Sequence, residues 1–136
     1  MFTIEQIKSA NEKVNSGADF PKYIQEIIKL GVTRFEAFVA DGHVLYYGKD
    51  GFELMSDAWY GQLIITEKSD KVQFKKELKA HQQGYTDYLT FCRFCANLGI
   101  EKWLVDMAKM TCTYYDLKGN EVLAEMIPTP FQSAKQ

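Results

Sequence analysis

The sequence predicts an α+β protein in which a helix-helix-β-meander unit occurs twice, an internal duplication whose helices pack on antiparallel sheet. The first observation behind this is a set of matches at one spacing. Leu30-Gly31-Val32 corresponds to Leu98-Gly99-Ile100, Tyr46-Tyr47 to Tyr114-Tyr115 and Gly51 to Gly119, every pair 68 positions apart (99 − 31 = 68) without a gap. The second is a change of hydrophobic period, from helical to two, shortly after Gly31 and again after Gly99. The third is the placing of those two glycines, each directly after a helical stripe, where a helix C-terminus needs a left-handed residue.

In the first half, the Thr3 hydroxyl is placed to cap the backbone at Gln6 while Gln6 reaches back, and Phe2 with Ile7 can form a hydrophobic staple. Ile4, Ile7, Ala10 and Val14 follow at helical spacing as the inward stripe. Asn15-Ser16-Gly17 breaks this helix, and Pro21 suits the first turn of a second one, where a missing N–H costs nothing. Phe20, Tyr23, Ile24, Ile27 and Ile28 make its buried face, and Gly31 ends it. From Thr33 alternation sets Phe35, Ala37 and Val39 on one face and Arg34 and Glu36 on the other. Asp41-Gly42 is a two-residue hairpin signal, His43 to Gly48 returns as a strand, and Lys49-Asp50-Gly51 supplies a second turn. The third strand is expected at Leu63-Ile64-Ile65, after an inserted segment, Phe52 to Gly61, that carries Met55, Trp59 and Tyr60.

The second half begins with Ser69 as a cap and a helix whose Phe74, Leu78 and His81 share a face, ended by Gly84. A helix from about Thr86 to Leu98 buries Tyr88, Phe91, Cys92 and Cys95. Trp103, Val105 and Met107 then take the places of Phe35, Ala37 and Val39, and Cys112 and Tyr114 those of Val44 and Tyr46. Val122 to Ile127 is the last strand. The Asp41-Gly42 turn aligns with Lys109-Met110, which lacks turn chemistry, so one long bent strand is an alternative there. Residues 128–136, with Pro128 and Pro130, read as an extended tail. The domain reading is therefore a single domain over residues 1–136, made of repeats at about 1–68 and 69–127 that gain by sharing a core.

Composition bounds the functions. The 16 basic and 18 acidic residues give a net charge of −2, scattered with no basic run beyond Lys75-Lys76 and its helical neighbours, which argues against nucleic acid. No stretch approaches the ~20 apolar residues of a membrane helix, and the opening Met-Phe-Thr-Ile lacks a basic region before an apolar one, so a cytoplasmic protein without a membrane partner is expected.

Cys92-Arg-Phe-Cys95 has the spacing of a redox or metal pair, and Cys112 with His81 could complete a set of four ligands. Against this, the pair sits mid-helix among Phe91, Phe94 and Leu98, and Cys92, Cys95 and Cys112 align with Ile24, Ile27 and Val44. They are expected to be reduced, buried core residues, with no metal and no cofactor. His43 and His81 are the two histidines, and no phosphate loop, His-Glu-x-x-His, Gly-x-Ser-x-Gly or paired-carboxylate motif accompanies them, so no catalytic residue is assigned. On strands, Tyr46 and Tyr114 should face the helices and Tyr47 and Tyr115 the opposite side, where an aromatic surface would serve a ligand, the seam between halves or a homodimer.

The run Met110-Thr-Cys-Thr-Tyr-Tyr-Asp116, with Lys118-Gly-Asn-Glu121 and Ile127-Pro-Thr-Pro130, resembles a family of small bacterial proteins described as a domain of unknown function and often labelled "phage envelope protein". The similarity covers nearly the whole chain. It implies no catalytic, cofactor or binding residue.

These residues predict a non-enzymatic binding or protein-interaction module that presents an aromatic surface to an unknown small molecule or protein. Trp59, Tyr60, Tyr47, Tyr115 and His43 are the candidate contacts. Trp59 is either a contact or a plug at the end of the core. The alternative is a small enzyme or small-molecule-binding protein with a pocket near the repeat interface that uses His43 or His81. The test between them is whether either histidine meets a carboxylate or tyrosine within a pocket.

Overall fold

The computed structural model describes residues 1–13 and 17–128. Val14, Asn15 and Ser16, and the tail from Thr129, lie outside the described residues.

Local chemistry sets the helices. In α1 (Ile4–Asn11) the Thr3 hydroxyl accepts from the Gln6 N–H while the Gln6 side chain accepts from Thr3 N, a complete capping box. Helix α2 (Phe20–Leu30) carries Pro21 in its first turn and ends at Gly31, whose φ of +105° closes it. Helix α3 (Lys71–Gln82) is capped by Asp70, one residue beyond the expected Ser69, because the carboxylate accepts from the Gln73 N–H. Helix α4 (Tyr88–Asn97) starts two residues later than Thr86, where Asp87 accepts from Thr90 N. Gly99 is required twice over: its φ is +81°, and a Cβ there would lie 2.6 Å from the Lys68 carbonyl and the Ser69 Cα.

The strands are β1 (Arg34–Phe38), β2 (Val44–Tyr47), β3 (Glu53–Met55), β4 (Lys102–Asp106), β5 (Thr111–Tyr115) and β6 (Glu121–Met126), and they form one sheet in the order β3-β2-β1-β4-β5-β6. All five pairings are antiparallel. Each half is thus two helices and a three-stranded meander in the same order, and β1 meets β4 at the centre.

Two expectations need correcting. Leu63-Ile64-Ile65 is not a strand: the third strand is Glu53–Met55, which follows the Gly51 turn directly, as β6 follows Gly119. Leu63 and Ile65 instead pack on the core from a connecting segment, with Leu63 N donating to the Ala40 carbonyl. The extra chain of the first half therefore follows the third strand rather than preceding it. At Lys109-Met110 the chain turns instead of running on as a bent strand. Asp106 Oδ1 accepts from Ala108 N and Lys109 N, and Met110 takes φ +53°, the left-handed role that Gly42 fills in the first half.

The core lies between sheet and helices. Phe35, Ala37, Tyr46, Trp103, Val105, Cys112 and Tyr114 alternate inward to meet Ile7, Ile24, Ile27, Phe74, Leu78 and Phe91. Tyr47 and Tyr115 point to the opposite face, as strand alternation requires. Among the described residues, no helix is long and apolar enough to cross a membrane.

Candidate functional site

The two helix pairs do not close completely over the sheet. A cavity of about 780 Å³ remains, floored by Phe35, Ala37, Val44, Tyr46, Trp103 and Tyr114 and walled by Ile7, Tyr23, Leu78, Tyr88 and Phe91, so both halves contribute to it. This volume is within the range of small-molecule sites. Nine Phe, Tyr and Trp side chains line it among the described residues. Trp103 is 5.9 Å from Tyr114, 5.9 Å from Phe91 and 6.2 Å from Tyr88, centroid to centroid, in tilted or edge-on packing.

Trp59 stands at the mouth. It is 59% exposed, lines the cavity and packs edge-on against Tyr88 at 5.5 Å. Its segment is fixed by Asp41, whose carbonyl accepts from Trp59 N at 2.7 Å, and by Gly42. A Cβ at Gly42 would fall 2.7 Å from the Tyr60 ring and 2.8 Å from Trp59 Cβ. Tyr60 is half-buried and its hydroxyl donates to the Val39 carbonyl at 2.7 Å, which ties the same segment to β1.

The polar groups around the cavity are mostly uncharged at neutral pH. Burial pushes the Tyr23, Tyr46, Tyr88 and Tyr114 phenols above their ordinary value. It also raises the Cys92 and Cys95 thiols and moves Cys112 to about 12, against hydrogen bonds that favour the thiolates. All three cysteines are free and buried. No metal-ligating cluster occurs among the described residues. His81 lines the cavity, stacked 4.3 Å from the Phe91 ring, with Nδ1 donating to the Thr86 carbonyl at 3.1 Å and within 3.0 Å of the Thr86 hydroxyl. Desolvation lowers its pKa despite Thr86 and Asp87, so the ring is neutral near pH 7. Asp87 lies at the rim, its pKa lowered by the Thr90 N–H.

The other sequence candidates sit together, on the opposite face of the sheet. Lys102 Nζ donates to Glu36 Oε2 at 2.8 Å and the Tyr47 hydroxyl to Glu36 Oε1 at 3.1 Å. Arg34 lies 4.1 Å from the Tyr47 ring centroid, and Lys102 lies 5.7 Å from that of Tyr115. Burial alone would raise the Glu36 carboxyl, but Lys102 and Tyr47 outweigh it and hold it below the usual carboxylate range. His43 stacks on Phe38 at 4.4 Å and places Nδ1 2.6 Å from Asp41 Oδ1. The structure therefore groups Tyr47, Tyr115 and His43 on one surface and Trp59 with the cavity on another.

Sequence reasoning did not assign Tyr88, Trp103, Phe91 or Glu125 to a site. For Glu125 a signal existed. Leu123, Glu125 and Ile127 alternate, and a carboxylate in the middle of an otherwise apolar inward row is out of pattern.

Fold and cavity together define a two-layer α+β protein with an aromatic chamber between its helices and its sheet. The chain belongs to the family described as "Protein of unknown function (DUF1398)", which matches residues 8–126. No curated protein matches the chain.

Proposed function

We propose that this protein is a non-enzymatic binding module whose ligand is a small, largely apolar molecule held in the cavity between the two halves. The observation that carries this reading is the cavity itself: about 780 Å³, aromatic on floor and walls, with Trp59 at its mouth. On the same reading the two halves are copies of one unit, and the chamber is the space their docking leaves.

An enzyme at this site would require His81 beside a carboxylate or a tyrosine able to share its proton. Its Nδ1 bonds instead to Thr86. His43 does meet Asp41, and both line a second, more open hollow of about 500 Å³ with Phe38, Leu63 and Leu117, outside the aromatic chamber. The His81 placement favours binding over catalysis in the chamber.

The test is a titration with N-phenylnaphthylamine, a neutral dye that brightens in apolar surroundings. Saturable binding with one site per chain is expected, and Val44→Phe, which adds a ring to the cavity floor, should abolish it while the protein stays folded. Dye binding unchanged by that substitution would refute the assignment.

A further inference from the structure

Three charged residues line the cavity among those described: Lys8, Asp87 and Glu125. Glu125 is the unusual one. Its Cα partner across β5 and β6 is Cys112, which is 4% exposed on the helix-covered face, so this register position faces inward. Among the described residues the carboxylate accepts one hydrogen bond, from the neutral Gln82 amide to Oε1 at 2.9 Å. None of the ion pairs among the described residues includes it. Among the described residues this carboxylate has an amide donor and no cationic partner, so a positive charge brought into the cavity can form a charge-assisted hydrogen bond with it.

The surroundings suit a cation. Tyr114 and Trp103 of the floor adjoin each other, Trp103 also packs on Tyr88 and Phe91 of the wall, and aromatic faces attract an ammonium. The Glu125 charge reaches both the Tyr114 hydroxyl and the Cys112 thiol. Lys8, the one cation of the lining among the described residues, and Asp87 are both exposed at the rim, which leaves Glu125 as the charge that faces inward. An anionic ligand would have to bring its charge beside Glu125.

We infer that the cavity binds an organic cation, a protonated amine on an aromatic or aliphatic body, with Glu125 as its counter-ion. This rests on the cavity being a ligand site and adds the chemical class of the ligand. The apolar body fills the aromatic chamber and the ammonium donates to the carboxylate oxygen opposite Gln82.

Three probes that share one phenethyl group separate body from charge: phenethylamine, phenethyl alcohol and hydrocinnamate, each titrated against tryptophan fluorescence. The amine should bind about tenfold more tightly than the alcohol, and the carboxylate more weakly than either. Glu125→Gln, nearly isosteric and able to keep a partner in Gln82, should remove the preference for the amine and leave alcohol affinity unchanged. Equal binding of amine and alcohol, or an amine affinity indifferent to Glu125→Gln, would overturn the inference while the cavity reading survives on the alcohol. If none of the three probes nor the neutral dye binds, the cavity reading fails and the inference with it.

Discussion

Glu36 pairs directly with Leu104 across the central strands β1 and β4, and Leu104 is the residue 68 positions after Glu36. The same register position of the two halves therefore meets itself at the centre of the sheet. Charge distinguishes the two positions, since Glu36 takes Lys102 as its partner and the residue 68 positions on is a leucine.

The first prediction concerns that pair. Lys102→Met should cost about 1 kcal/mol, as a partly exposed ion pair is worth little. Because the folded Glu36 carboxyl lies below its ordinary value, its contribution is present above the unfolded pKa of about 4.3 and is lost as pH falls through the folded value. Lys102 is shifted up, by the Glu36 hydrogen bond before the opposing desolvation, so its share is lost only as pH rises through its folded value. Urea melts of both proteins between pH 3 and 7 should converge at the acid end.

Trp59 and Trp103 should behave oppositely. Trp103 is 6% exposed, and Trp103→Ala is expected to cost about 3–5 kcal/mol. Trp59 is mostly exposed beyond its Tyr88 contact, so Trp59→Ala should cost about 1 kcal/mol or less. Binding of the neutral dye should nevertheless weaken, because the mouth of the cavity has lost its ring. A large stability loss from Trp59→Ala would make that residue a core plug.

The His81 shift gives a pH signature. Desolvation keeps the folded imidazole neutral to lower pH than in the unfolded chain, where it takes up a proton near about 6.5. The unfolded state therefore binds more protons in that window, and stability should fall as pH drops from about 6.5 through the folded value. His81→Gln should flatten that part of the curve; identical slopes would refute the assignment.

Gly42→Ala tests how the cavity mouth is fixed. The φ of +78° alone costs an alanine about 1–2 kcal/mol, and its methyl would press on Tyr60 and on Trp59 Cβ. Faster hydrogen exchange at the Trp59 amide, now bonded to the Asp41 carbonyl, is the expected readout.

The thiols should be inert in the native state. Cys92 and Cys95 are fully buried, Cys112 is nearly so, and burial suppresses their thiolates. Labelling by a disulfide reagent should require unfolding. Rapid native labelling of any of the three would contradict the packing.

What the sequence disclosed were features written in neighbouring residues. The Thr3–Gln6 box, the stops at Gly31 and Gly99 and the facing of Tyr46 against Tyr47 each depend on a few consecutive positions. Leu63-Ile64-Ile65 misled because an apolar run shows burial, not pairing: Leu63 and Ile65 are partly buried from a connection that crosses to Ala40, while the modest Glu53-Leu54-Met55 forms the strand. Met110 concealed a turn because the stabilising group is Asp106, four positions back, whose carboxylate accepts from the Ala108 and Lys109 N–H groups and offsets the left-handed strain at Met110. The cavity was illegible for a different reason. Tyr23, Tyr46, Tyr88 and Trp103 come from four separate elements, and no local pattern records a space between them.

The β1–β4 pairing also bears on how the chain reaches its native state. The remaining strand pairings join neighbours within one half and close short loops, whereas β1 and β4 bring together residues such as Phe35 and Val105. Closing that long loop has an entropic penalty with no local reward, so the meanders are expected to form first and the central zip last. The chamber is incomplete until that event, since each half supplies only part of its walls. A dye bound in it should therefore appear as a late kinetic phase in refolding, after the far-ultraviolet signal of helices and hairpins has already recovered.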